Sequence, residues 1–161
     1  MSGEPERLPY VDEHSTIVAV PPEPTWEALL RVVEGTVSGG GASRFARLLG
    51  CADTEASGPR PLALGSTVPG FHVADAQPPG ELFLGGRHRF SRYALNFRLD
   101  ALGDGRTRLR AETRAEFPGL EGGIYRGLVI GTRMHVLATR RILAATKRRA
   151  ERVGARPAGP A

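Results

Sequence analysis

The chain lacks several features that would point to a compartment or to a metal. Cys51 is its single cysteine, so an internal disulfide is excluded and a reducing compartment is expected. No apolar run approaches the roughly 18–20 residues that a membrane span needs. Residues 1–15 are polar and acidic, without the basic and apolar segments of a signal peptide. We therefore expect a cytoplasmic protein without integral membrane association.

Lysine is also nearly absent, because Lys147 is the only one among 22 basic residues. The net charge of +5 is unevenly placed: residues 1–80 hold ten acidic and five basic residues, and residues 81–161 hold seven and seventeen. Such asymmetry can indicate a nucleic-acid or anionic membrane surface. Abundant Arg, Ala, Gly and Pro are equally typical of a GC-rich coding bias. We therefore predict no nucleic-acid partner.

No motif for a metal or a cofactor is visible. His, Cys, Asp and Glu nowhere cluster at metal-ligand spacing. Residues 39–41 are three glycines before a helix, but the lysine and the preceding strand of a phosphate loop are missing. The sequence predicts neither a metal nor a cofactor, and we assign no catalytic residue.

The first half of the chain predicts a strand followed by two short helices. Residues 10–20 contain a β-prone stretch over 14–20, which predicts a first strand that ends at Pro21-Pro22. Residues 24–33 have apolar side chains at helical spacing, with proline near the start: Trp26, Leu29, Leu30 and Val33. A second helix over residues 43–49 is expected to bury Phe45, Leu48 and Leu49. Residues 52–65 are rich in Pro, Gly and Ala, so they are predicted to be mostly loop.

An antiparallel sheet follows. Strands are predicted over residues 67–76, from residue 81 to 84, and over 93–99 and 107–117, with Asp104-Gly105 forming a hairpin turn. The last two strands alternate cleanly: Tyr93, Leu95, Phe97, Leu99, Leu109, Ala111, Thr113 and Ala115 face one way and charged residues the other. This pattern is typical of a sheet that is covered on one side only.

One long helix is predicted from residue 122 to 152. At about 100° per residue, one face carries Leu128, Thr132, His135, Thr139, Ile142, Leu143 and Thr146, flanked by Tyr125. The prediction is an α+β fold in which a curved antiparallel sheet wraps around a long C-terminal helix. We predict one domain over residues 10–153, with a flexible N-terminal tail at 1–9 and a disordered C-terminal tail at 154–161.

This order of elements resembles the helix-grip fold of the START-like, birch-pollen-allergen-like superfamily, also called SRPBCC, with its polyketide cyclase/dehydrase group. The likeness lies in the strand 14–20, Pro21-Pro22 and the helix of Trp26, in the strands 93–99 and 107–115, and in Phe117-Pro118-Gly119 before the last helix. It implies a cavity between sheet and C-terminal helix that binds hydrophobic or amphipathic small molecules. The family's sheet has seven strands, and residues 51–90 show fewer clear strands than that requires.

His135 is the sharpest candidate site residue, as a ligand contact or an acid/base group; the alternative is a core histidine bonded to a carbonyl. Thr132 and Thr139 either line the same cavity or bond the carbonyl one turn earlier. His88 points into the cavity if its strand has a bulge; otherwise it belongs to a solvated basic edge. His14 and His72 are isolated and receive no role. The other predicted ligand contacts are Phe71, Val73, Tyr93, Leu95, Phe97, Ala111, Thr113, Tyr125 and Leu128.

Three functions remain open from the sequence. The preferred one is a module that binds a lipid-, polyketide- or aromatic-like molecule. The second is a cyclase/dehydratase-type enzyme that uses the same cavity. The third is an interaction protein, because the last helix has an outward apolar row, Ile130, Leu137 and Ala144, with Met134 beside it. A homodimer through Ile130, Met134 and Leu137 is one explanation of that row. Coverage by the N-terminal tail or by the loop 52–65 is an equally good explanation of that row.

Overall fold

The computed structural model describes residues 8–37, 40–120, 123–124, 126–127 and 133–155. Its strands are β1 (Tyr10–Val18), β2 (Thr67–Val68), β3 (Phe71–Gln77), β4 (Glu81–His88), β5 (Ser91–Ala101) and β6 (Thr107–Glu116). Its helices are α1 (Pro22–Val37), α2 (Gly40–Leu49) and α3 (Met134–Gly154). The predicted α+β class and the order of elements are confirmed.

The six strands form one antiparallel sheet in the order β1-β6-β5-β4-β3-β2. Strands β3 to β6 follow one another along the chain, whereas β1 reaches the far edge beside β6. The strand predicted over residues 67–76 is interrupted, because Gly70 has a φ of 90° and turns the chain between β2 and β3. Residues 52–65 contain one isolated bridge, Ser57 to Thr67, so the loop prediction is confirmed.

The core lies between the inner face of the sheet and the helices α1 and α3. The apolar stripe predicted for α1 is buried, and Leu29 is fully enclosed. From the sheet, Leu82, Phe97 and Leu109 are each 0% exposed. Burying a side chain of this size contributes about 1.5–3 kcal/mol. Helix α3 packs on α1 and on β1, with Leu143 and Ala150 among its buried residues.

The predicted orientation of α2 is wrong. Phe45 is 61% exposed and Leu48 is 79% exposed, whereas Ala46 is 4% exposed. Successive residues of a helix point about 100° apart. Because Ala46 faces the protein, Phe45 and Leu48 turn toward solvent.

The final helix is shorter than predicted. Arg133 has a left-handed backbone, with φ 53° and ψ 24°, and α3 begins directly after it. A left-handed residue cannot continue a right-handed helix, so an unbroken helix over residues 122–152 is wrong at this position. Residues 119–120, 123–124 and 126–127 are helical and precede the break.

The N-terminal end of the described chain crosses the outer face of the sheet. Leu8 packs there with Phe83 and Ala94, and the Pro9 carbonyl accepts a hydrogen bond from the Ala115 backbone N–H. None of the described helices combines the length and the apolar character needed to cross a membrane.

Candidate functional site

A polar cluster lies on the inner face of the sheet where α3 begins. Side chains of a strand alternate between faces, and Val18 is fully buried on the inner face of β1. Asp12 and His14, at even spacing from Val18, therefore point inward as well. Thr113 of β6 is the cross-strand partner of Asp12. His135, in the first turn of α3, completes the cluster from above.

One carboxylate oxygen joins the two histidines of this cluster. Asp12 Oδ2 lies 3.0 Å from His135 Nε2 and 3.3 Å from His14 Nε2. The side chains of Asp12, His14 and His135 are 23%, 20% and 17% exposed. Thr139 donates its hydroxyl hydrogen bond to the His135 carbonyl at 2.9 Å, so the threonine bonds within its own helix.

Two polar atoms of the cluster are buried and have no hydrogen-bond partner among the described residues. They are Asp12 Oδ1 and Thr113 Oγ1. Opposed residues in adjacent antiparallel strands have Cβ atoms about 4.5–5.5 Å apart. Leaving such groups unsatisfied is unfavourable by about 1–3 kcal/mol each. The described part of the chain therefore leaves both atoms open to a further polar group.

Aromatic side chains occupy the inner face on the other side of Thr113. The rings of Phe71 and Tyr93 meet edge to face with centroids 5.1 Å apart, and the His88 ring lies 5.4 Å from that of Tyr93. The Tyr93 hydroxyl donates to the Gly70 carbonyl at 2.6 Å. Phe71, His88 and Tyr93 all keep part of their surface exposed. We call these three residues the aromatic wall.

The environment of this wall shifts two pKa values. Burial lowers the pKa of His88 below its ordinary value, which favours the neutral imidazole. Burial is also the largest effect on Cys51, whose thiol lies 3.8 Å from the Tyr93 hydroxyl, and it raises the pKa of that thiol. Cys51 therefore stays a protonated thiol and a weak nucleophile at neutral pH.

The polar cluster and the aromatic wall belong to one continuous surface. Thr113 pairs with Leu95. Two residues further along β6, and on the same face, Ala115 pairs with Tyr93. A cavity of about 380 Å³ lies near the end of β6 and is lined by Tyr10, Ala115, Phe117 and Arg126 among others, but by none of the cluster or wall residues.

A larger groove, of about 850 Å³, lies on the opposite face of the sheet. Side chains of the outer face form most of its lining, among them His72, Asp75, Phe83, Arg87 and Arg92. We call it the outer groove. Nothing in the sequence pattern predicts it, since it depends on how Leu8 and the loop 52–65 pack around β3 and β4.

The predicted site residues separate into three groups. Phe71, His88, Tyr93, Thr113 and His135 are half-buried on the inner side, and His88 reaches it in a regular register without a bulge. Other predicted contacts are packed inside the core or bonded within α3: Val73, Leu95, Phe97, Ala111 and Thr139. Tyr125, Leu128 and Thr132 lie outside the described residues.

The sequence analysis missed Asp12 and His14. Their separation of two residues on a strand, in phase with Val18, is the signal that would have found them. His72 is not isolated either, because its Nδ1 lies 3.1 Å from Asp53 Oδ2 on the outer side. Within the described ranges, no three His, Cys, Asp or Glu side chains are arranged to hold a metal ion.

Similarity to solved structures supports the fold, whereas comparison of sequences finds no match. No protein-family model and no curated protein sequence matches the chain. Among solved structures, the ZhuI aromatase/cyclase from Streptomyces sp. R1128 is similar with a TM-score of 0.55 and 18% identity, covering 96% of this chain and 100% of that one. Norcoclaurine synthase from Thalictrum flavum is similar with a TM-score of 0.53 and 13% identity, covering 92% of this chain and 100% of that one.

The protein Ara h 8.0201 has a TM-score of 0.50 and 9% identity, covering 86% of this chain and 95% of its own. At such identities the likeness shows the fold alone. The sheet order, the two helices after β1 and the C-terminal helix agree with that likeness. The chain therefore has a helix-grip fold, which is the fold that the resemblance to the START-like, or SRPBCC, superfamily implied.

Proposed function

We propose that this protein binds a hydrophobic or amphipathic small molecule between the inner face of its sheet and its C-terminal helix. The observation that carries the proposal is the aromatic wall, because Phe71, Tyr93 and His88 remain partly exposed on a face whose large aliphatic side chains are buried. An incompletely covered aromatic surface beside polar groups is typical of small-molecule sites. Solved proteins of this fold include an aromatase/cyclase and norcoclaurine synthase, which supports a small organic ligand.

The experiment is a binding titration with a fluorescent apolar dye, 1-anilinonaphthalene-8-sulfonate. Phe71→Ala removes part of the aromatic wall, and Phe83→Ala removes a phenylalanine of similar size from the outer groove. We expect Phe71→Ala to weaken dye binding by about 10-fold, as for the loss of one buried aromatic contact, and Phe83→Ala to change it little. Circular dichroism of both variants confirms that they remain folded.

The reverse result, a strong effect of Phe83→Ala alone, would move the ligand site to the outer groove. Native mass spectrometry of protein purified from its own host supplies the natural molecule. If no organic molecule co-purifies and the dye does not bind, a ligand-binding function is contradicted.

A second candidate is a cyclase/dehydratase-type enzyme acting at the same place. It is favoured by the arrangement of His14 and His135 on one carboxylate, since a carboxylate that orients an imidazole is a common acid–base arrangement. His135→Ala separates the two functions. A binding protein should lose affinity modestly, whereas an enzyme should lose turnover and keep most of its binding.

The interaction function stays a prediction. Leu137 is 44% exposed on α3, whereas Ile130 lies outside the described residues and nothing is described of the Met134 side chain.

A further inference from the structure

We propose that the inner-face site recognises its ligand through a hydroxyl group, alcoholic or phenolic, held between Asp12 Oδ1 and Thr113 Oγ1. This inference rests on the proposed binding function and names the polar end of the molecule that the site takes. The aromatic wall contacts the apolar body, and the Asp12–Thr113 pair contacts the hydroxyl.

The first step is the placement of the two atoms. Asp12 on β1 and Thr113 on β6 are direct cross-strand partners, so their side chains leave the sheet side by side. Both Asp12 Oδ1 and Thr113 Oγ1 are buried without a partner in the described part of the chain. Neighbouring orphan atoms on one face form a joint hydrogen-bonding site that a single external group can satisfy.

The second step is how Asp12 is oriented. Its other oxygen, Oδ2, lies within hydrogen-bond distance of His135 on α3 and His14 on β1. Two partners on one oxygen fix the plane of the carboxylate, which leaves Oδ1 available. His14 and His135 are therefore positioning residues for Asp12 in this proposal.

The third step is the chemistry of the missing partner. An ionised carboxylate oxygen only accepts hydrogen bonds, while a threonine hydroxyl both donates and accepts. A ligand hydroxyl can donate to Asp12 Oδ1 and accept from Thr113 Oγ1 at the same time. A ketone, an ether or a ligand carboxylate has no proton to donate to Asp12. A protonated amine can donate to both Asp12 Oδ1 and Thr113 Oγ1, but it has no lone pair and leaves the Thr113 hydroxyl proton without an acceptor.

Other threonines of the interior show that this arrangement is particular to the site. The Thr25 and Thr107 hydroxyls donate to the carbonyls of Pro21 and Val20. Thr146 Oγ1 also lacks a partner among the described residues. Thr146 is 0% exposed as a whole, however, whereas the Asp12 side chain keeps 23% of its surface exposed although its Oδ1 is buried.

The test compares two probes of nearly the same shape, 2-naphthol and 2-methylnaphthalene, by displacement of the bound fluorescent dye. A purely apolar site prefers 2-methylnaphthalene, because a methyl group is more hydrophobic than a hydroxyl. We expect the wild-type protein to prefer 2-naphthol instead, by about 10-fold, as one hydrogen bond to a charged group would give. The preference itself requires no variant, so it does not depend on any substitution being tolerated.

Thr113→Val then removes the hydroxyl while keeping the side-chain shape. It should reduce the preference for 2-naphthol to about 3-fold or less, with 2-methylnaphthalene affinity unchanged. Thr16→Val is the matched control, since it makes the same change on β1 at the residue paired with Leu109, four positions beyond Asp12. It should leave the preference as in the wild type. A third probe, the protonated 2-(aminomethyl)naphthalene, should bind more weakly than 2-naphthol.

The outcomes separate the two proposals. If both probes displace the dye but 2-methylnaphthalene is preferred, or if Thr113→Val leaves the preference intact, the hydroxyl site is wrong and the binding function stands. Tighter binding of the ammonium probe than of 2-naphthol would also overturn the hydroxyl assignment. If none of the probes binds and the dye does not bind either, the proposed function itself fails.

Discussion

The two faces of the sheet differ in how completely their polar groups are paired. On the outer face, arginines are matched with carboxylates across the strands: Arg98 with Glu81 at 3.0 Å, Arg110 with Asp100 at 2.8 Å and Arg92 with Glu116 at 3.3 Å. On the inner face, two cross-strand neighbours, Asp12 Oδ1 and Thr113 Oγ1, have no partner among the described residues, whereas the outer face has one such atom, Asn96 Oδ1.

This difference identifies polar residues whose hydrogen-bonding capacity is not used within the described part of the chain. Exposed ion pairs contribute about 0–1 kcal/mol each, so substituting the outer arginines should change the free energy of unfolding little. An unpaired buried acceptor is unfavourable by about 1–3 kcal/mol, so a ligand group that pairs with it would gain binding free energy. The adjacent unpaired atoms therefore support the proposed site on the inner face, although the outer groove is larger.

Two adjacent glycines of β4 offer the strongest way to test how tightly the two faces are packed. An ideal Cβ at Gly86, on the inner face, would lie 2.3 Å from the Gly70 carbonyl oxygen and 2.4 Å from the Tyr93 ring. One at Gly85, on the outer face, would lie 3.0 Å from His72 Nε2. The His72 side chain is 46% exposed and can rotate away.

We expect Gly86→Ala to lower the free energy of unfolding by about 1–3 kcal/mol, because the Tyr93 ring and the Gly70 backbone must both move. Gly85→Ala should change it by about 0.5 kcal/mol or less. Urea unfolding of the two variants measures both values. Equal stabilities of the Gly86→Ala and Gly85→Ala variants would show that the Tyr93 ring is loosely packed. The aromatic wall would then not be a rigid binding surface.

The sheet could be predicted from the sequence because its signal is local. Alternation along β5 and β6 assigns Phe97 and Leu109 to the inner face without any knowledge of the rest of the chain, and both are fully buried. The hairpin turn at Asp104-Gly105 is local in the same sense, with Gly105 at a φ of 76°.

The orientation of α2 and the polar cluster could not be predicted, because both depend on contacts between distant residues. A helix with Phe45 and Leu48 on one side is predicted to bury this side. In the folded protein α2 buries the side of Ala46 instead. His135 and Asp12 are 123 positions apart in the chain. No period or spacing connects them, and only the packing of α3 on β1 brings them together.

Two buried threonines test whether an unpaired polar atom really lowers stability in this interior. Thr25 and Thr146 are both 0% exposed. The Thr25 hydroxyl donates to the Pro21 carbonyl at 2.9 Å, whereas Thr146 Oγ1 has no partner in the described ranges. Replacing each by valine keeps the shape and removes only the hydroxyl.

We expect Thr25→Val to lower the free energy of unfolding by about 0.5–1.5 kcal/mol, since it removes a hydrogen bond. Thr146→Val should raise it by about 1 kcal/mol, because the buried hydroxyl is replaced by a methyl group. Thermal unfolding followed by circular dichroism gives the two changes with opposite signs. A destabilised Thr146→Val would mean that this hydroxyl is satisfied, and the argument from orphan atoms would weaken at Asp12 and Thr113 as well.

The smallest expected effect concerns the pH dependence of stability and comes from His88, at the end of the aromatic wall. Burial lowers the pKa of His88 below its ordinary value of 6.5. The unfolded chain therefore takes up a proton more readily than the folded one as the pH falls. The stability that His88 contributes is fully present above pH 6.5 and is lost as the pH falls toward and through the lowered pKa.

His88→Gln removes this titration while keeping a polar side chain of similar length. The variant should lose less stability than the wild type between pH 7 and pH 5 in urea unfolding. Between pH 7.5 and pH 9 their difference should stay constant, which serves as the internal control. A parallel loss in both proteins below pH 6.5 would show that the His88 imidazole is well hydrated when folded. In that case the His88 end of the aromatic wall is hydrated, and contact with it would add little to the binding free energy of an apolar ligand.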